Sequence, residues 1–165
     1  MYDGAMTWNN PSALTLYHGT VDLHAPAINA RVDPSKGQLL RDFSRGFYTT
    51  TNFEQAATHA RNLRHRLASQ GAKQALVAVF TVNRDALSSL SSLTFLVPNN
   101  DYWDFIDWCR NGNASHTSTV YYDVVYGPVS SRWQSKAIHE GFDQISFHTV
   151  LAASVLQAPQ WRTSR

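Results

Sequence analysis

Apolar and polar positions alternate, cluster and repeat along this chain in a way that predicts strands interspersed with helices. Ala13–Tyr17 reads as a short strand that runs straight into His18-Gly19-Thr20. Asp22–Ala30 reads as a brief helix with Pro26 near its first turn, where proline does least harm. Arg31–Ser44 is a polar loop. The stretch from Ser44 to Thr51 then reads as a strand opened by Gly46, where a glycine before two aromatics lets the backbone pass close to a packed neighbour. Phe53, Ala56, Ala57, Ala60, Leu63 and Leu67 follow helical spacing and give one narrow face of small residues, with Asn52 as N-cap.

Ala75–Val82 is a continuous apolar run of the right length for a buried strand. Asp85–Phe95 is a connection leading to a short strand at Thr94–Val97, and Pro98-Asn99-Asn100 breaks the chain. Asp101–Arg110 carries Tyr102, Trp103, Phe105, Ile106 and Trp108 at helical spacing, which predicts an aromatic packing helix. Val120–Tyr126 reads as a strand closed by Gly127-Pro128, and Ser131–Glu140 as a helix with Gly141 at its C-cap. Asp143–His148 alternates like a strand, and Val150–Leu156 makes a last short helix. The order predicts one α+β domain over 13–158, with 1–12 as an N-terminal extension and 159–165 as a C-terminal tail.

Composition narrows the class. A chain of 165 residues is long enough to bury a core, and plentiful aromatics with few charges argue against disorder. The net charge of +2 is too small to imply nucleic-acid binding by itself. Its distribution says more, because nine Lys and Arg residues between Arg31 and Arg84 face only Asp33, Asp42 and Glu54. That asymmetry suits an anionic ligand, or equally a solvated basic helix face. The single cysteine, Cys109, fits a reducing compartment and inert packing. With no signal peptide or membrane-length apolar run, a cytoplasmic location is expected. The seven histidines show no metal-ligand spacing, so no metal is expected.

Three separated strand ends each carry one chemistry-bearing group: His18, Tyr48 and Gln144. His18-Gly19-Thr20 resembles the H-G-[ST] motif of the ADP-ribosyltransferases with a His-Tyr-Glu triad. Gly46-Phe47-Tyr48 with Gln55-Ala56-Ala57 resembles their G-x-Y strand and following helix, and Gln144 falls where they place a glutamate. Four segments are similar to a little-characterised bacterial family of toxin-like proteins, often paired with a small neutralising protein. These segments are Tyr17–Thr20, Arg45–Thr50, Asp123–Val129 and Gln144–Thr149.

The resemblance implies a split sandwich of two small sheets with NAD in the cleft between them. It implies transfer of ADP-ribose from NAD to a macromolecule, with nucleic acid slightly favoured over protein, in a toxin or phage-defence role. The alternatives are an NAD glycohydrolase and a non-catalytic NAD- or ADP-ribose-binding module. It also implies roles. The Gly19 backbone would hold the nicotinamide carboxamide, His18 would donate to the adenosine ribose, and Tyr48 would supply an aromatic face. Tyr17, Thr20, Arg45, Gly46, Phe47 and His59 would complete the NAD site.

Gln144 departs from that family, since glutamine keeps a hydrogen bond and loses the charge. Asp123 is the candidate to restore a carboxylate, with Glu140 and Asp143 as lesser ones. Gln144→Glu would then be expected to maintain or raise NAD hydrolysis.

Overall fold

The structure, a computed structural model, describes residues 13–156 and 158–164; the N-terminal extension lies outside them. It is α+β, as expected, with five α-helices and two sheets among the described residues. The first sheet has the order β1-β3-β7, antiparallel throughout, from Leu14–Val21, Ala75–Val82 and Gln160–Thr163. The second has the order β2-β6-β5-β4, from Phe47–Thr49, Ala137–Phe147, Val124–Arg132 and Ser92–Thr94, with only the β4–β5 pair parallel.

Period-two alternation sorts the side chains. Leu16, Phe80 and Val82 of the first sheet and Phe47, Val124, Ile145 and Phe147 of the second form one shared core. Each fully buried large apolar side chain in it contributes about 1.5–3 kcal/mol. The opposite face of β1 and β3 receives helix α2, Phe53–Arg66 (α1 is Ala25–Ala30), through Ala56, Ala57 and Val77. The Asn52 side chain accepts from the Gln55 N–H and caps α2 as predicted. The opposite face of β5 packs on helix α4, Asn100–Arg110, through Phe43, Tyr102, Phe105, Ile106 and Val125. The short helices α3 (Arg84–Ser88) and α5 (Val150–Ala153) complete the chain.

The region after Val120 differs from expectation. Ser131–Glu140 is not a helix: β5 begins only at Val124, runs through Gly127-Pro128 to Arg132, and turns back into β6. Lys136, at φ 54°, makes that turn. Cross-strand pairing of Ser130 with Ile138 and Arg132 with Ala137 outweighs the local helical spacing. Pro128 is tolerated because β4 pairs only as far as Tyr126, which leaves β5 with one partner there. The Thr94–Val97 strand lies earlier, at Ser92–Thr94, and the last helix stops at Ala153. The segment expected as a tail supplies β7, whose partner β3 could not announce it from a distance in sequence. No helix among the described residues is long and apolar enough to cross a membrane.

Candidate active site

The two sheets touch through one backbone bridge, and the site begins where that bridge ends. Tyr17 and Thr50 exchange both hydrogen bonds, N to O at 2.8 and 2.9 Å. One residue later the pairing stops, because the His18 ring enters the gap and its Nδ1 meets the Tyr48 carbonyl at 2.6 Å. A carbonyl only accepts, so Nδ1 carries the proton and Nε2 is left as an acceptor. Burial lowers the His18 pKa to about 4, so the ring is neutral near pH 7. Stacking on Phe47 at 4.1 Å fixes its plane.

Backbone groups in a strand alternate edges. Since Tyr17 points its N–H and C=O at Thr50, Gly19 points its own at the same edge, where β2 has diverged. Its missing side chain has a cause within the fold. A Cβ at Gly19 would lie 2.0 Å from the Ala56 carbonyl oxygen, so the packing of α2 by itself requires glycine here. At Gly46 the packed neighbour is His148, whose ring would lie 2.7 Å from an added Cβ.

The resulting cleft, about 940 Å³, is lined by Tyr17, His18, Gly19 and Thr20 from β1 and by Gly46, Phe47 and Tyr48 from the β2 segment. His59 of α2 and Gln144 of β6 complete it. All three triad candidates therefore line one cleft. Tyr48 spends its hydroxyl internally, donating to Ser44 O at 2.6 Å and accepting from Phe43 N at 3.0 Å. These bonds hold a turn in which Ser44 sits at φ 69°, a conformation unfavourable for a side-chain-bearing residue. What Tyr48 offers a ligand is its ring.

Gln144 is 7% exposed, and its Nε2 donates to Asp42 Oδ2 and to Pro128 O, each at 2.8 Å. Both partners only accept, which settles which end of the amide is nitrogen. Oε1 is the end left for a ligand. Asp42, in the loop before β2, also receives Arg110 Nη2 at 2.5 Å, Arg110 Nε at 3.0 Å, Ser130 Oγ at 2.6 Å and Ser130 N at 2.8 Å. Sequence reasoning missed Asp42, Arg110 and Ser130. No local pattern marks them, because loop, helix and strand meet only in the fold.

Asp123 does not reach the cleft. It immediately precedes β5, four residues before Gly127, the partner of Gln144, which is about 13 Å of extended chain. Its carboxylate accepts from Thr149 Oγ1 at 2.5 Å, Ser91 N at 3.0 Å and Ser91 Oγ at 3.1 Å, and it ties the β4 entry to the last helix. The lesser candidates fare no better. Asp143 clamps Thr50 and Thr51, at 2.5 to 2.9 Å, and Glu140 is exposed. Arg45 lines not the cleft but a smaller hollow of about 340 Å³ beside it, with Tyr121 and His148, that shares Arg31 and Asp33 with the cleft. Burial raises the Cys109 thiol pKa to about 12, which fits packing.

Charge along the cleft is positive. Among the described residues, Arg31 and Arg110 pair with Asp33 and Asp42, the two ion pairs there, whereas Lys36, Arg41 and Arg66 have no described carboxylate within 4 Å. Burial, then the like charges of Arg41 and Arg66, lower the pKa of His59. Arg61 and Arg64 turn elsewhere, to Ser164 O and Lys73 O. An anion in the cleft is therefore expected to feel Arg41 and Arg66. Arg41→Glu or Arg66→Glu should weaken binding of an anionic ligand in the cleft roughly tenfold at low salt, and Arg64→Glu should change it little, as read by titration at two ionic strengths.

Residues 14–139 match the model of a family described as protein of unknown function (DUF3990). The match ends within β6, before Gln144. No curated protein matches the chain.

Proposed function

The chain belongs to the DUF3990 family, and from the geometry of its cleft we propose that it binds NAD⁺ and transfers the ADP-ribose group to a macromolecule. One observation carries this reading. The sheets part directly after the Tyr17–Thr50 bridge, and the Gly19 peptide groups are turned to an edge of the same cleft that His18, Tyr48 and Gln144 line. A planar carboxamide needs one donor and one acceptor from a strand edge, which Gly19 has to offer. Its ring needs an apolar face, which Tyr48 supplies. A ribose hydroxyl can donate to His18 Nε2, reversing the sense of the bond first expected for that histidine. Another can donate to Gln144 Oε1. Lys36, Arg41 and Arg66 suit the diphosphate.

In the reaction, the bond between the ribose C1′ and the nicotinamide nitrogen breaks. Its electron pair neutralises the pyridinium, so nicotinamide leaves uncharged, and C1′ acquires oxocarbenium character. An acceptor nucleophile then bonds to C1′ and loses its proton to solvent or to a base of its own. Acceptance of the ribose hydroxyl's hydrogen bond stabilises the cation-like sugar as it forms. The unpaired cations beside the cleft favour a nucleic acid as acceptor, in a toxin or defence setting.

Nicotinamide release from labelled NAD⁺ tests the reading. The parent protein is expected to release nicotinamide, and label is expected to appear on RNA, DNA or protein of an added lysate. Tyr48→Ala and His18→Ala, checked for folding, should each weaken NAD binding by roughly 1–3 kcal/mol. Release without labelled acceptor would make the protein a glycohydrolase. Binding without release would make it a binding module, and no binding would end the proposal.

A further inference from the structure

We infer that Asp42 is the positioning residue of this cleft and that glutamine, not glutamate, is what position 144 requires. The site's carboxylate stands one hydrogen bond behind the Gln144 amide, on Asp42 in the cleft wall, with that amide relaying it.

The argument begins with donors and acceptors. Both hydrogens of the Gln144 amide are taken by groups that only accept, Asp42 Oδ2 and Pro128 O, each 2.8 Å away. A glutamate in the same rotamer would set an oxygen against a carboxylate and a carbonyl at once. Asp42 cannot turn aside, because it is 3% exposed and both its oxygens are held by Arg110 and Ser130. Arg110 balances one carboxylate, and the only other ion pair among the described residues involves Arg31 and Asp33. Two carboxylates sharing one cation at that distance cannot both stay ionised without cost.

With glutamine present, the same contact helps. Charge on Asp42 polarises the amide along its N–H bond and makes Oε1 a stronger acceptor. The tether also removes the rotation that would otherwise let nitrogen, a donor, face the cleft. A hydroxyl-bearing ligand thus meets a fixed acceptor at this point, with a negative charge behind it. The expectation that Gln144→Glu maintains or raises hydrolysis is therefore reversed: the resemblance carries a glutamate to this position, where Asp42 already holds the negative charge.

The rate arm of the test rests on the function proposed above, and the stability arm does not. Four proteins are compared: the parent, Gln144→Glu, Gln144→Leu as an uncharged control, and the double variant Asp42→Asn with Gln144→Glu. The charged and titratable groups that share the cleft with position 144 include Asp42 and Arg41 from the loop, Arg110 from α4, Tyr48 from β2, His18 from β1, His59 from α2 and His139 further along β6. Only Gln144→Glu adds a second carboxylate beside Asp42.

Its new carboxyl group is expected to titrate above the usual range. The Tm difference from the parent should then grow as pH rises from about 4 to about 8. The same difference should stay flat for Gln144→Leu and for the double variant, in which the amide introduced at position 42 can donate to the carboxylate introduced at position 144. Nicotinamide release should fall roughly 100-fold in Gln144→Glu near pH 8, with KM for NAD⁺ changed less than kcat. It should recover at least tenfold in the double variant.

A Gln144→Glu protein that folds only at the acid end supports the inference equally. A pH-independent Tm difference, or full activity of Gln144→Glu near pH 8, overturns it. If the parent itself releases no nicotinamide, the proposed reaction fails while the stability profiles still decide the role of Asp42.

Discussion

Gly19→Ala is expected to cost about 3 kcal/mol or more of folding stability, a Tm loss of roughly 10 °C or greater. The added methyl would sit 2.0 Å from the Ala56 carbonyl oxygen, 2.9 Å from its carbon and 3.0 Å from the Ala60 nitrogen. All three are backbone atoms of α2, so no side-chain rotation relieves the clash. Only a displacement of the helix from β1 does. That displacement would open the Ala56–Ala57–Val77 contact and carry His59 away from the cleft. Thermal melts and urea unfolding measure the loss. A variant as stable as the parent would show that α2 can slide on β1, and the cleft wall would then be softer than its packing suggests. Gly71→Ala is a useful contrast. That glycine has nothing within 4 Å of an added Cβ but a φ of 98°, so its cost is set by conformation alone and should be smaller.

Acid should destabilise the protein in a window set by its histidines. His18 and His148 are held neutral, with pKa values lowered by burial to about 4 and about 3. In the unfolded chain each titrates near its ordinary value, about 6.5. Between those limits the unfolded state binds more protons, so stability is greatest above about pH 6.5 and is lost as pH falls towards 4. His116 acts in the same direction, its pKa lowered by burial. The combined loss is on the order of 5 kcal/mol, and it sets in above the range where carboxylates titrate.

Denaturant midpoints across that range measure it. His148 donates from Nδ1 to Arg45 O at 2.7 Å and lies 2.6 Å from Ser146 Oγ. His148→Gln should therefore lower stability near pH 8 while flattening the acid slope. Protonation of folded His18 would also remove the Nε2 acceptor, so ligand binding should hold through most of this interval and weaken only as pH approaches about 4. A parent equally stable at pH 4.5 and 7.5 would mean that these rings are charged in the fold.

Local pattern sufficed wherever an element's own sequence carries its reason. The apolar run Ala75–Val82 is strand β3, residue for residue. The alanine face from Ala56 to Ala60, capped by Asn52, is α2. Tyr102, Trp103 and Phe105 of α4 are buried at helical spacing, with Trp108 left exposed, and the alternation Ile145, Phe147 against Gln144, Ser146 is the two faces of β6. In each, side-chain period and backbone geometry agree within a few residues. The strand positions of His18, Tyr48 and Gln144 were legible for the same reason, since each sits beside a strand signal.

Tertiary structure decided what depends on partners remote in sequence. Ser131–Glu140 has helical spacing, yet its backbone groups find better partners across a hairpin than along a helix. Gln160–Thr163 becomes a strand only because β3 offers it an edge. Asp123 and Asp42 exchange the standing their sequence context suggests. The first, set beside a clear strand motif, is spent on Ser91 and Thr149, whereas the second, in a featureless polar loop, holds Gln144. A carboxylate's chemistry is set by which donors surround it and how much water is excluded. For Asp42 those donors come from residues 110, 130 and 144, brought to one point by the packing of a loop, a helix and two strands.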